Sequence, residues 1–142
     1  MTERFEDIMA WQRAYRFTLL VYKATASFPS DERFGLKSQF QRAAVSIPAN
    51  IAEGYKRIGK ADKLHFFNIA QGSLEECRCY IYLSKDVGYI DDSAFCELYI
   101  CLEEASKMLN WYCKGNKEQR VQQRRRLADN VWQHNANTAL TT

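Results

Sequence analysis

The chain has 142 residues, of which 46% are hydrophobic and 26% charged, and its formal net charge is +3. This composition is ordinary for a globular protein, and the length allows one domain with its own core. No apolar run approaches the ~20 residues of a membrane-spanning helix, and the first residues lack the basic and apolar regions of a signal peptide. We therefore expect a cytoplasmic protein with no membrane partner.

The cysteines are odd in number and do not have the spacing of a zinc site. They are Cys77, Cys79, Cys96, Cys101 and Cys113. On a helix, Cys77 and Cys79 would point about 200° apart, so they could not share a metal. We predict that the cysteines are small, buried or half-buried hydrophobic side chains.

The net charge hides an uneven distribution of charged side chains. Residues 1–60 carry ten basic and six acidic side chains, residues 61–116 carry five and nine, and residues 117–142 carry five and two. Basic ends around an acidic centre suit a chain that self-associates head to tail or binds an anionic partner. Solvated helix faces are the alternative explanation of so mild an imbalance.

The first predicted helix runs from about residue 7 to residue 26. Phe28 and Pro29 end it, because proline cannot continue a helix and biases the preceding residue toward extended geometry. Its apolar stripe, which we expect to face the core, comprises Ile8, Trp11, Tyr15, Thr18, Tyr22 and Thr25.

The second predicted helix begins near residue 32 or 36 and ends by residue 59. Pro48 lies in its middle, removes one backbone donor and crowds the carbonyl of Ala44, so we expect a kink or a restart there. The apolar face of this helix comprises Leu36, Phe40, Ala43, Ala44, Ile47 and Ile51.

Polar side chains follow one edge of the second helix at steps of three and four residues. This polar ladder comprises Arg42, Ser46, Asn50, Glu53 and Arg57. Three interpretations are open: a surface ion pair, a ligand site, and, favoured by the pattern, a structural network buried between helices. In the third case Ser73 and Glu76 would supply partners, since Gly72 would allow a close helix approach.

Two further helices complete the predicted fold. The third runs from about residue 61 to 87 and ends at Gly88, the residue type favoured after a last helical turn. Its core stripe comprises Leu64, Phe67, Ala70, Leu74, Cys77, Ile81 and Ser84. Asp91 or Asp92 caps the fourth helix, whose inward face comprises Phe95, Leu98, Leu102, Ala105, Met108, Leu109 and Tyr112.

The pattern predicts an all-α fold, an antiparallel up-down-up-down four-helix bundle with a basic C-terminal extension. We expect Gly115 and Asn116 to close the fourth helix. The bundle domain would then cover residues 1–116, followed by a basic, partly helical or disordered tail over residues 117–142.

Catalytic patterns are weak in this sequence. His65 and His134 are the only histidines, and neither has the spacing of a metal-binding pair. The segment from Gly54 to Lys60 resembles a phosphate-binding loop superficially, but Ala61 stands where Ser or Thr is required. We therefore expect no enzyme activity, no cofactor, no metal and no small-molecule substrate.

Basic residues near the end of the second helix and in the tail could contact phosphate backbones. They are Lys56, Arg57, Lys60, Arg120, Arg124, Arg125 and Arg126. The alternative is that the arginine run is an ordinary solvated tail. The 19 aromatic side chains are dispersed, so we assign their surplus to a core and a subunit interface rather than to a base-stacking platform.

Several segments together resemble the bacterial "four helix bundle protein" family, whose members are often encoded by intervening sequences in 23S rRNA genes and are also labelled S23 ribosomal proteins. The resemblance covers roughly residues 5 to 115. It rests on Trp11-Gln-Arg-Ala14, Phe28-Pro29, Glu32-Arg-Phe-Gly-Leu36, Ser38-Gln39, Arg42-Ala-Ala-Val-Ser46, Asn50-Ile-Ala-Glu-Gly54, Phe67, Ala70-Gln-Gly-Ser-Leu-Glu75 and Gly88-Tyr89.

The resemblance implies an antiparallel four-helix bundle that assembles as a ring-like homopentamer, with no established catalytic site. The family is also similar to the accessory variability proteins of diversity-generating retroelements, which are basic pentamers that bind nucleic acid and a reverse transcriptase. This chain is only weakly basic, and its tail departs from the family pattern.

Two function classes follow. The first is a non-enzymatic oligomeric binding module for RNA, DNA or a nucleic-acid enzyme. The second is a protein–protein scaffold, or a passenger of a mobile element, with no role on nucleic acid.

Overall fold

The computed structural model describes residues 4–139, except for the side chains of residues 119, 120, 131, 132 and 134–139. Over this range all regular elements are helical. A short 3-10 helix, Phe5–Asp7, precedes α1, and a second one, Ser30–Glu32, precedes α2. The four long helices are α1 (Met9–Thr25), α2 (Leu36–Lys56), α3 (Lys60–Asp86) and α4 (Asp92–Ala139).

Hydrogen bonds between α1 and α2 show that these helices run in opposite directions. The Thr18 hydroxyl donates to the carbonyl of Ala44 at 2.9 Å, and seven residues later along α1 the Thr25 hydroxyl accepts from Gln41 at 2.9 Å. Residue numbers therefore rise along α1 as they fall along α2, which is the predicted antiparallel arrangement.

The same reversal relates α3 to α4. Gln71 donates to the Asn110 side-chain oxygen at 2.9 Å, whereas Lys85, near the end of α3, lies 3.4 Å from Asp92 at the start of α4. In addition, α2 packs along α3, and α1 packs along α4. Each helix thus has two neighbours, and the four close into the predicted bundle.

The core faces of α2 and α3 are those that the periodicity predicts. All six predicted apolar positions of α2 and all seven of α3 are buried. Phe40, Ile47 and Phe67 are among the largest side chains that are fully buried. For both helices, the apolar stripe that the i, i+3, i+4 spacing predicts is therefore the one that faces the core.

The core face of α1 agrees with the prediction only in part, since Ile8, Thr18 and Thr25 are buried as predicted but the two tyrosines are not. Tyr15 and Tyr22 are 46% and 47% exposed, whereas Phe17 and Val21 are completely buried. The helix carries two stripes at helical spacing, and the inward one contains alanines, including Ala14, that let the neighbouring helices come close. Tyr15 instead stacks on Trp11, with ring centroids 4.9 Å apart, on the flank of the helix.

Pro48 does not interrupt α2, which continues from Leu36 to Lys56, so the predicted restart does not occur. A proline at this position cannot donate to the carbonyl of Ala44, four residues earlier. That carbonyl lies 2.9 Å from the Thr18 hydroxyl of α1, and it shares the one hydroxyl proton with the carbonyl of Ala14 at 3.0 Å. The donor that the proline lacks is therefore replaced from the neighbouring helix.

The turn between α3 and α4 is built as predicted. Gly88 has a φ of +81°, the left-handed conformation that glycine adopts without strain. The Asp91 side chain accepts a hydrogen bond from the backbone nitrogen of Ala94 at 2.8 Å, which caps α4.

The predicted end of α4 is wrong, since the helix continues through Gly115 and Asn116 to Ala139. The side chain of Asn116 is buried and donates to the carbonyl of Tyr112 at 2.9 Å, which satisfies it inside the helix. A single interior glycine costs a helix only about 1 kcal/mol. The described side chains from residue 121 to 130 are all exposed, so this part of α4 is not covered by the bundle.

None of the helices in the described range combines the length and apolarity that crossing a membrane requires.

Candidate nucleic-acid interface

The middle of the polar ladder joins α2 to α3. Asn50 donates to the carbonyl and to the hydroxyl of Ser46, at 2.8 and 2.9 Å, and the Ser73 hydroxyl donates to that of Ser46 at 2.8 Å. Ser73 is buried, and Ser46 and Asn50 are half-buried. These three predicted members thus form a structural network between two helices.

The end of the ladder is not buried, which corrects the favoured interpretation for Glu53. Glu53 pairs with Arg57 at 2.5 Å, and their side chains are 53% and 44% exposed. The Arg57 guanidinium also lies 4.5 Å from the ring centroid of Phe66. The pair lies on the surface, where such an interaction contributes about 0.3–0.5 kcal/mol.

The start of the ladder also faces solvent. Arg42 is exposed and borders a shallow groove of about 330 Å³ between α2 and α3. Ser73 and Glu76 line the same groove from α3. Glu76 therefore lies near the ladder on an open surface, whereas the hydrogen bond from α3 to the ladder is that of Ser73.

Gly54, and not Gly72, is the glycine that allows α2 and α3 to approach closely. A Cβ atom at Gly54 would lie 2.6 Å from Cε1 of Phe67, whereas one at Gly72 would meet nothing within 4 Å. The prediction for Gly72 is therefore wrong. Gly54 lies three residues after Ile51 on the core stripe of α2 and is buried. Gly72 lies two residues from both Ala70 and Leu74, so it faces away from the core stripe of α3, and the spacing already favours Gly54.

Lys63 is a residue of this region that sequence reasoning missed. Its ammonium group donates to the last carbonyls of α2, at 2.6 Å to Tyr55 and 3.4 Å to Gly54. Burial lowers the pKa of Lys63, and the charge of nearby Lys60 adds to that effect. A cation at a helix C-terminus is favourable, so Lys63 fixes the turn that carries Lys56 and Arg57.

The fold brings basic side chains from two distant segments to one end of the molecule. Lys56 and Arg57 are exposed at the end of α2, and Lys60 is half-buried at the start of α3. Because α4 is antiparallel to α3, its continuation passes the first turns of α3, where Lys117 and Arg124 line a groove together with α3 residues. The sequence separation of the two segments concealed this proximity.

The remaining predicted contacts lie on the same continuation of α4. Arg125 and Arg126 are exposed. They do not line the groove that Arg124 lines. Arg120 has its backbone in α4, but its side chain lies outside the described ones.

The cysteines do not supply reactive groups at this end. Cys77, Cys101 and Cys113 are buried, as predicted, whereas Cys79 and Cys96 are exposed. Burial raises the pKa of the Cys77, Cys101 and Cys113 thiols above its usual value. Thiols of this kind are poor nucleophiles and poor metal ligands, and no cluster suited to a metal ion occurs among the described residues.

The sequence of the bundle matches a known protein family. Residues 6–111 match the 23S rRNA-intervening sequence proteins. The chain belongs to this family. This match confirms the resemblance inferred from the motifs between Trp11 and Tyr89.

Solved structures agree with the fold of this 23S rRNA-intervening sequence protein. A protein of unknown function from the S23 ribosomal protein family of Bacteroides thetaiotaomicron superimposes with a TM-score of 0.69 at 22% identity. The alignment covers 74% of this chain and 95% of that one. A comparison with curated proteins finds no match.

The family segment ends before the basic continuation of α4. Lys117, Arg124, Arg125 and Arg126 lie beyond residue 111, whereas Lys56, Arg57 and Lys60 lie within the matched residues. These lysines and arginines form the basic end of the molecule, and some of them lie within the family match while others lie beyond it.

Proposed function

We propose that this protein is a non-enzymatic, oligomeric helix bundle of the cytoplasm that binds nucleic acid, or an enzyme acting on nucleic acid, through the basic end. The observation that carries the proposal is the convergence of the α2–α3 turn with the continuation of α4. Exposed lysines and arginines from both segments offer phosphate contacts that do not depend on base sequence. The link of the family to 23S rRNA genes makes RNA the first ligand to test.

The proposal includes no catalytic role. The polar ladder directs its hydrogen-bonding groups at one another, with Ser46 accepting from both Asn50 and Ser73. The buried thiols have raised pKa values. The polar groups of the bundle therefore serve packing, and binding falls to the charged surface.

Self-association is supported by an apolar stripe on the outside of α1. Tyr15, Leu19 and Tyr22 are spaced four and three residues apart, so they share one helix face, and they are 46%, 55% and 47% exposed. On α4, Trp111 is 75% exposed. Aromatic residues at the surface are enriched in protein interfaces, and the family resemblance implies a pentamer.

The same stripe favours the second candidate function, a protein–protein scaffold without a nucleic-acid role. In a closed ring, weak phosphate contacts repeat in every subunit and add by avidity when one polymer spans several of them. A protein–protein scaffold, in contrast, does not need to bind a polyanion such as RNA. The two functions therefore differ in one measurable property, the affinity for RNA.

A titration of 23S rRNA fragments at about 50 mM salt tests the proposal. We expect binding that weakens steeply with salt, by about one log–log slope unit for each phosphate neutralised. Light scattering on the same sample should give a multiple of the 16.6 kDa chain mass. Folded oligomer without detectable RNA binding would favour the scaffold, and a monomer at micromolar concentration would contradict the oligomeric part.

A further inference from the structure

We propose that the groove between the start of α3 and the continuation of α4 binds a single-stranded segment of nucleic acid. This inference rests on the proposed function and gives its site. The groove has a volume of about 510 Å³, within the range of about 300–1,000 Å³ of small-molecule sites. It is therefore large enough for a nucleotide.

The α4 wall of the groove places charge on both sides of an apolar position. Lys117, Val121 and Arg124 line it and follow one helix face at spacings of four and three residues. Lys117 and Arg124 are two helical turns apart, about 10 Å along the axis. Two cations at this distance can contact two phosphates of one extended strand, with Val121 between them on the same helix face.

The α3 wall supplies apolar surface and hydrogen-bonding groups. Leu64 is 6% exposed and forms the floor, and His65 and Asn68 line the groove beside it and are themselves exposed. An imidazole ring can stack on a base, and a side-chain amide offers two donors and an acceptor to a base edge. With these groups the groove can contact the base of a nucleotide as well as its phosphates.

Charge complementarity identifies the occupant as an anion. The residues that line the groove include Lys117 and Arg124 but no aspartate or glutamate. Asp62 and Glu118 are the nearest acidic residues along α3 and α4, and both are exposed outside the lining. An acidic partner is therefore favoured, and stacking and amide groups beside the cations favour nucleic acid among the anions.

The chain offers a matched pair of variants to test this site. Arg124→Glu and Arg126→Glu change the charge equally, but of these two arginines only Arg124 lines the groove. Residues that are two positions apart on a helix point about 200° away from each other, so Arg126 faces a different direction. We expect Arg124→Glu to weaken binding of a labelled oligouridylate at least about tenfold more than Arg126→Glu at about 50 mM salt. The exposed Asn68→Ala change, which alters no charge, should weaken it several-fold.

Each outcome bears on either the groove or the proposed function. Equal losses from Arg124→Glu and Arg126→Glu, or tighter binding of duplex than of single strand, would overturn the groove and leave sequence-independent binding in place. Absence of binding by the unchanged protein, to the oligouridylate and to the 23S rRNA fragments alike, would overturn nucleic-acid binding as the proposed function. Circular dichroism on each variant establishes that it is folded, and both arginines lie on an exposed helix surface.

Discussion

Single residues in this protein have effects that depend on a partner from another helix, and Pro48 is the clearest case. Its ring leaves the carbonyl of Ala44 without the usual donor in α2. The Thr18 hydroxyl of α1 donates to that carbonyl at 2.9 Å, and Thr18 is itself buried. The proline therefore gives α2 an acceptor that ties it to α1.

This pairing predicts a measurable coupling between Thr18 and Pro48. Thr18→Val keeps the shape of the side chain but leaves a buried carbonyl unpaired, so it should lower the free energy of unfolding by about 1–3 kcal/mol. In a Pro48→Ala background the restored backbone donor can serve Ala44, and the cost of Thr18→Val should fall. Urea denaturation of the four proteins measures the coupling, and equal costs in both backgrounds would refute it.

At the scale of elements, glycine decides how closely α2 and α3 approach. The α carbon of Gly54 faces the ring of Phe67, which is fully buried. Phe67 in turn contacts Tyr112 of α4 edge to face, with centroids 5.0 Å apart. A side chain at Gly54 would therefore displace a ring that joins three helices.

Gly54→Ala should destabilise the bundle by about 1–3 kcal/mol, because the core has no room for the added methyl group. Gly72→Ala is the matched control, since it makes the same change in an exposed helix interior with nothing within 4 Å. It should leave stability unchanged or raise it by up to about 1 kcal/mol. Thermal unfolding compares the two, and a similar melting temperature for both variants would contradict the assignment.

At the scale of the whole molecule, the antiparallel fold collects exposed cations from distant segments at one end of the bundle. The α2–α3 turn and the continuation of α4 collect the exposed cations Lys56, Arg57 and Arg124. The opposite end carries exposed Asp91 and Asp92 at the start of α4 together with exposed Lys85, which pairs with Asp92. A molecule of this kind presents its basic end to a polyanion.

The buried thiols give the whole molecule a predicted dependence on pH. Burial raises the pKa of Cys77, Cys101 and Cys113, so these thiols stay protonated in the folded state where unfolded ones ionise. The unfolded state then binds fewer protons, and stability, complete below about pH 8.5, decreases as the pH rises further. The urea midpoint should fall between about pH 7 and about pH 10.

Thiol labelling provides the companion measurement. In the native protein Cys79 and Cys96 should react with a thiol reagent, and the three buried cysteines should react only on unfolding. Cys96→Ser removes an exposed thiol and should leave the pH dependence unchanged. An alkaline urea midpoint equal to the neutral one, or rapid native labelling of all five, would contradict the prediction.

The sequence by itself determined the helical class, the limits of α3, the turn at Gly88 and Asp91, and the core faces of α2 and α3. These features depend on contacts within about four residues or on a regular apolar stripe along one helix, so periodicity and capping residues are sufficient. The motifs that identified the family are local for the same reason.

Tertiary structure decided the rest. Packing left Tyr15 and Tyr22 at the surface while it buried Ala14, Phe17 and Val21 of α1, and it set Gly54 against the ring of Phe67. It also placed α4 beyond Gly115 alongside the start of α3, which makes the groove at Arg124. These choices depend on which surfaces from distant segments fit together, and that complementarity exists only once the helices are packed.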